Sequence, residues 1–166
     1  MFYFKKQIFF ISSLLIATFA ISCGVYTFNP RGKSDISSVA VERFENETPE
    51  FGLADIMTDN VIDAFIADGT MKIVSAENAD VILAGTLVKY DRHPHEFTSE
   101  DEVISYEVTM DFSITLKKSS DGSEIWNDRI SQQGIYQVDS ETEDDGQQTA
   151  IKLLVETIIN KTTKSW

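Results

Sequence analysis

The chain has 166 residues, with 14 Lys and Arg against 27 Asp and Glu, a formal net charge of −13, and one cysteine. A surface this acidic repels nucleic acid phosphates, which excludes a phosphate-tracking role. A single cysteine excludes an intramolecular disulfide, so the fold must rest on packing.

Lys5 and Lys6 precede an apolar run from Ile8 to Ile21, broken only by Ser12, Ser13 and Thr18. The run is shorter than the roughly 20 apolar residues that a membrane-crossing helix takes, and charge followed by such a run is the pattern of an export signal. The residues Ala20-Ile21-Ser22-Cys23 resemble the lipobox of bacterial lipoproteins, with Ser22 as the small residue before the cysteine. That resemblance implies a signal peptide over residues 1–22 and a lipidated Cys23 carrying a diacylglycerol and an N-acyl chain such as palmitate. No other cofactor is expected. Several chains anchor stably where one is marginal. Gly24 rather than Asp follows the cysteine, so the expected location is the outer membrane, lipid-anchored and facing the periplasm. Loss of Lys5 and Lys6 leaves 12 basic and 27 acidic residues, and 12 − 27 gives −15.

Residues 23–35 form the lipidated N-terminus and a tether, turn-rich at Asn29-Pro30-Arg31-Gly32-Lys33. Residues 36–166 are expected to form one α+β domain. Ile36 to Phe44 alternates as a strand with one buried face. Thr48-Pro49-Glu50 has the chemistry of a helix start, with Thr48 as N-cap and Pro49 at the first helical position. Leu53, Ile56, Met57, Val61, Ala64 and Phe65 recur at helical spacing, and Gly69 occupies a C-cap position. A short strand is predicted over Met71 to Val74. A longer one, Val81 to Tyr90, is apolar on both faces except at Gly85 and Thr86, as expected of a strand covered on both sides.

Val103 to Lys117 alternates over many residues. Tyr106, Val108, Met110, Phe112, Ile114 and Leu116 share one face, and Glu107, Thr109, Asp111, Ser113 and Thr115 share the other. The Asp121-Gly122 pair marks a hairpin, from which Ile125 to Tyr136 returns antiparallel. A last helix over Gln147 to Thr162 places Ile151, Leu154, Val155, Ile158 and Ile159 on one stripe. The order β-α-β-β-β-β-α predicts a two-layer sandwich, with two helices packed on one face of a mixed or antiparallel sheet of about four to five strands.

Asp91, His93, His95 and Glu96 gather around Pro94, which reads as a loop between strands, and no partner ligands at zinc spacing occur elsewhere, so no metal site is assigned. The acidic run from Asp139 to Gly146 lacks the bidentate Glu of a calcium loop, since Lys152 stands at the twelfth position counted from Glu141, and reads as a solvated loop. There is no G-x-S-x-G, no P-loop and no spread of histidines for triad chemistry, so no catalytic residue and no enzyme activity is expected.

The succession Cys23-Gly24-Val25-Tyr26, Val39-Ala40-Val41-Glu42-Arg43-Phe44-Glu45-Asn46-Glu47-Thr48, Ala79 through Leu87 with Tyr90, and Ile125-Trp126 before a C-terminal helix resembles the LptE family of lipopolysaccharide-assembly outer-membrane lipoproteins. The resemblance implies a non-enzymatic protein that plugs the β-barrel of the lipopolysaccharide translocon, an LptD-like partner, helps it assemble and supports lipopolysaccharide transport to the cell surface. Glu107, Thr109, Asp111, Ser113 and Thr115 are then the barrel-facing candidates, because the interior of an outer-membrane barrel is polar. Lys117, Lys118 and Arg129 are the candidates for contact with an anionic lipid head group. The Val-Ala-Val-Glu-Arg-Phe-Glu-Asn stretch is also similar to domains of adaptor lipoproteins that activate cell-wall synthesis, the alternative reading.

Overall fold

A computed structural model of the chain describes residues 36–164, so the leader, Cys23 and the tether lie outside the described residues. The strands are β1 (Ser38–Val41), β2 (Glu45–Asn46), β3 (Lys72–Ile73), β4 (Val81–Phe97), β5 (Val103–Lys118) and β6 (Glu124–Gln137). The helices are α1 (Leu53–Asp68) and α2 (Glu143–Lys164). They form a mixed sheet in the order β3-β1-β4-β5-β6, with β2 also paired to β4. The pairings of β1 with β3 and β4 are parallel, as is that of β2 with β4, whereas β4, β5 and β6 form an antiparallel meander.

Both helices pack on one face, α1 over β1 to β3 and α2 over β5 and β6. The stripe read from α1 is the one that is buried, at Leu53, Met57, Val61 and Phe65, and α2 buries Ala150, Ile151, Leu154 and Ile158. Against them lie Val39, Phe44, Val81, Leu83, Leu87, Met110, Phe112, Ile114 and Leu116, all part of one apolar cluster. Two helices on a mixed sheet is the predicted α+β architecture. Gly69 caps α1 with φ 66°, and Gly122 turns the β5–β6 hairpin with φ 70°, both in the left-handed region open to glycine.

Several boundaries differ from expectation. Thr48-Pro49-Glu50 is a turn rather than a helix start. Asn46 Oδ1 accepts from the Thr48 backbone N–H at 2.9 Å and its hydroxyl at 2.7 Å, and the Thr48 Oγ1 accepts from the Glu50 N–H at 3.3 Å, closing a turn that ends before α1 begins. Gly52 at φ 82° occupies the N-cap instead. β4 does not end at Tyr90 but runs through Pro94 to Phe97. Beyond Leu87 neither β1 nor β2 accompanies it, so proline's missing N–H removes no ladder bond on that side.

Nor is β4 covered on both sides: Val81, Leu83, Gly85 and Leu87 are buried while Ile82, Ala84, Thr86 and Val88 are half-buried on the uncovered face. The second half of the acidic run is helical. Asp145 reaches back over the helix start, its Oδ2 accepting from the Thr142 N–H and hydroxyl at 2.8 Å each, and α2 starts at Glu143.

The start of β1 is fastened by one carboxylate. Asp80 Oδ2 accepts from the backbone N–H of Ser37 at 2.8 Å and of Ser38 at 2.9 Å, and from their hydroxyls at 3.1 and 2.8 Å. The bond from the Ser37 backbone, with that from the Ser38 hydroxyl next, holds the carboxyl below the ordinary aspartate value. Asp80→Ala is expected to cost about 1 kcal/mol in urea unfolding at neutral pH. A depressed carboxyl stabilises the fold above its unfolded value and loses that contribution as pH falls through the folded value. The gap between variant and parent should therefore close below about pH 4. A gap that is unchanged at pH 3 would show that Asp80 is not acting as a carboxylate.

Candidate functional site

The face of the sheet opposite the helices has no covering element among the described residues. Across β5 it presents Glu107, Thr109, Asp111, Ser113 and Thr115, the predicted polar set, whose neighbours on β6 are Ile135, Gln133, Ser131, Arg129 and Asn127. On β4 the register slips between Leu87 and Lys89. Before the slip the even residues Ile82, Ala84 and Thr86 face this side. After it Lys89, Asp91 and His93 do, paired with Asp111, Thr109 and Glu107. A bulge of this kind re-aims the side chains that follow it, and as far as the next slip, after Pro94, it turns Tyr90 and Arg92 toward the helices.

The result is a surface of hydroxyls and amides with a few charges. Ser131 donates to Asp111 Oδ1 at 2.6 Å. Glu107 is the exception on the predicted set, because it is enclosed, its side chain only 12% exposed. His93 Nε2 lies 3.3 Å from its Oε1 and His95 Nδ1 3.6 Å from its Oε2, while Thr109 donates to Oε1 at 3.2 Å. Next to it on the same face, Ser105 is fully buried and its hydroxyl has no partner among the described residues. No group of three His, Cys, Asp or Glu among the described residues is arranged to hold a metal ion.

Lys117 and Lys118 are placed at the end of β5, and Arg129 in the middle of β6 opposite Ser113. Four residues of strand separate Ser113 from Lys117, about 13 Å, so the three cations do not form one patch. Lys117 is engaged with Glu42 at 3.5 Å, whereas Lys118 is exposed. Lys118 borders an open cleft of about 460 Å³, lined also by Ile36, Glu77, Asp80 and Ser119.

Sequence reasoning missed a polar cluster on the helix side. Arg92 stacks on Tyr106 at 3.7 Å from the ring centre, donates to the Tyr136 hydroxyl at 2.6 Å and pairs with Glu143 at 3.2 Å. Tyr90 donates to Glu143 at 2.5 Å and accepts from Gln147 at 3.0 Å. Burial and the Glu143 carboxylate push the Tyr90 phenol well above its ordinary value. The Tyr136 hydrogen bond raises Arg92 further. The cluster ties the start of α2 to β4 and closes one end of the core. Its members stand up to 57 residues apart, so no local pattern announces it.

A sequence model of LptE, described as lipopolysaccharide-assembly, matches residues 36–162. The chain belongs to the LptE family. LptE is a non-enzymatic lipoprotein family of the cell envelope. No curated protein matches the sequence.

The LptE fold seen here is similar to that of a protein from Xanthomonas campestris, at 14% identity and a TM-score of 0.57, over 76% of this chain and 83% of that one. It is also similar to a hypothetical protein from Chlamydia trachomatis, at 8% identity and a TM-score of 0.55, covering 75% and 96% of the two chains. An uncharacterized lipoprotein B from Nitrosomonas europaea is similar at 12% identity and a TM-score of 0.53, covering 77% and 83%. At these identities the likeness speaks for the fold alone.

Proposed function

We propose that this LptE-family lipoprotein is held in the outer membrane by the lipid on Cys23, seats its open sheet face against the inner wall of the lipopolysaccharide translocon barrel, and so plugs and helps assemble that LptD-like partner. The observation that carries the reading is the uncovered polar face from Glu107 to Thr115. It is rich in hydroxyls and amides, and it matches the polar lining of an outer-membrane barrel. An apolar face there would call for lipid or a hydrophobic partner. In the same reading Lys117 and Lys118, at the end of the sheet where the chain enters, are the groups to meet an anionic head group of lipopolysaccharide, and Arg129 lies on the barrel-facing surface.

The test is photo-crosslinking in the living cell from Thr109 and Ser113, one site at a time, each replaced by a photoreactive residue. Adducts with a large β-barrel at both positions are expected, together with lipopolysaccharide stalled on the periplasmic side when the protein is depleted. Adducts with a cell-wall synthase instead, and normal surface lipopolysaccharide on depletion, would replace this reading by the adaptor one.

A further inference from the structure

The sheet ends at β6, and that edge is open. Its register with β5 is unbroken from Trp126 to Gln137. One residue further on, Val138 donates to Ile104 O at 3.0 Å, which sets the phase of the ladder. Even-numbered residues of β6 bond to β5, and the odd-numbered ones turn their N–H and C=O outward. At Gln137 the outward groups are already used: the N–H donates to Glu141 Oε2 at 2.7 Å, and the carbonyl accepts from the backbone N–H of Ser140 and Glu141. The outward backbone groups of Asn127, Arg129, Ser131, Gln133 and Ile135 have no partner among the described residues.

Proteins usually guard such an edge with lysine, proline, a bulge or brevity. The other edges here obey that rule, β3 having two residues and the free flank of β4 carrying Pro94. The stretch from Trp126 to Gln137 has no lysine, no proline and no bulge, and its two charges, Asp128 and Arg129, are adjacent and opposite in sign.

We propose that β6 docks a second copy of this chain, two β6 strands pairing antiparallel about Ser131 so that the sheet continues across a twofold axis. The sequence of the edge is complementary to itself in that register. Arg129 faces Gln133 of the other copy, Asn127 faces Ile135, and Asp128 faces Gly134, so no charge meets its like. It is also the register in which all five outward residues of one copy meet all five of the other. Centring on Arg129 brings two guanidiniums together, and centring on Gln133 calls on Gln137, whose groups are spent.

A second feature lies beside the seam. Gln132, on the helix side of β6, donates to Thr157 at 3.1 Å, so the Leu153–Thr157 flank of α2 stands over the edge. Leu153 is 40% exposed there, and the neighbouring copy would cover it. The interface uses the edge and this flank, and it does not depend on the barrel reading, which concerns the open face.

The experiment takes the full chain, purified in detergent. Ser131→Cys is oxidised with copper phenanthroline beside the parent chain and Lys72→Cys, which lies on the opposite edge. A residue pair on the axis of such a ladder has Cα atoms about 5.5 Å apart, within disulfide range. A disulfide-linked dimer is expected for Ser131→Cys above the background of the parent and of Lys72→Cys. Ser131→Lys sets two ammonium groups face to face on the axis; sedimentation should fall from two chains to one, with circular dichroism showing that the fold is kept. No excess linkage at position 131, a parent that sediments as one chain, or a dimer that survives Ser131→Lys would each overturn the proposal. Linkage of position 131 to a barrel protein in intact cells would overturn it too, while leaving the barrel reading in place.

Discussion

Gly134→Ala is expected to lower the free energy of unfolding by roughly 3 kcal/mol, at the upper end of what overpacking a core costs. Gly134 lies on β6 beneath the first turn of α2, and the two backbones are in direct contact. A Cβ added there would stand 1.8 Å from Gly146 O, 2.7 Å from Gly146 C and 3.2 Å from Ala150 N. None of these is the far end of a flexible side chain. The helix start must lift, and it takes with it the buried Ala150 and Ile151 and the Glu143 contacts to Tyr90 and Arg92. Gly146→Ala meets looser contacts, Tyr136 Cδ1 at 2.9 Å with Gly134 O and Val108 Cγ2 both at 3.3 Å, and should cost less. Urea unfolding of the two variants gives the order directly. A Gly134→Ala midpoint equal to that of the parent would mean that strand and helix are not in backbone contact.

The second large effect is at Phe44. Its ring is fully buried and lies over Gly85 of β4, where an added Cβ would sit 2.2 Å from the ring Cε1. Phe44→Ala should cost about 3–5 kcal/mol, the usual range for emptying a buried aromatic site. Gly85→Ala alone should cost about 1–3 kcal/mol, because the ring it strikes is enclosed and has no free direction. The double variant should lose less than the sum of the two, by an interaction energy of about 0.5–3 kcal/mol, since the new methyl enters space the ring has left. Strict additivity would show that glycine at 85 answers to something other than Phe44.

The parts of this fold that could be read from the sequence are those in which the decisive interaction is periodic or local. The stripes of α1 and α2 and the alternation of β5 register a single demand, one face against the core, and they appear where expected. Gly69 and Gly122 supply left-handed turns that other residues adopt rarely. The misreadings come from competition and from absent neighbours. Thr48 has the right chemistry for a cap, but its hydroxyl oxygen accepts from Glu50 in a turn that closes before α1 begins. Pro94 forbids a ladder bond only on a flank where no strand stands. The acids after Asp139 look like solvent-exposed loop until Asp145 is seen to accept from both the N–H and the hydroxyl of Thr142.

The open polar face was legible for the same reason as the core, because alternation places it. The enclosure of Glu107 by His93 and His95 was not, since it depends on a one-residue slip at Val88 that shifts which residues of β4 look outward. The Tyr90, Arg92 and Glu143 cluster is joined only by tertiary pairing.

From Asp91 to Phe97 every residue of β4 is exposed, although the strand continues to pair with β5. At about 3.3 Å per residue those seven positions carry the sheet some 23 Å past the last residue with a place in the core. Arg92 anchors the root of this overhang to Tyr136 and Glu143, and His93 and His95 lie against Glu107, so it is the tip beyond them, from Phe97 through the turn to Val103, that is free to lengthen or shorten by matched residues while the body keeps its melting behaviour. Reach and foldedness are separate variables in this molecule, and the distance at which it can touch something is a dimension that evolution or an engineer could adjust by itself.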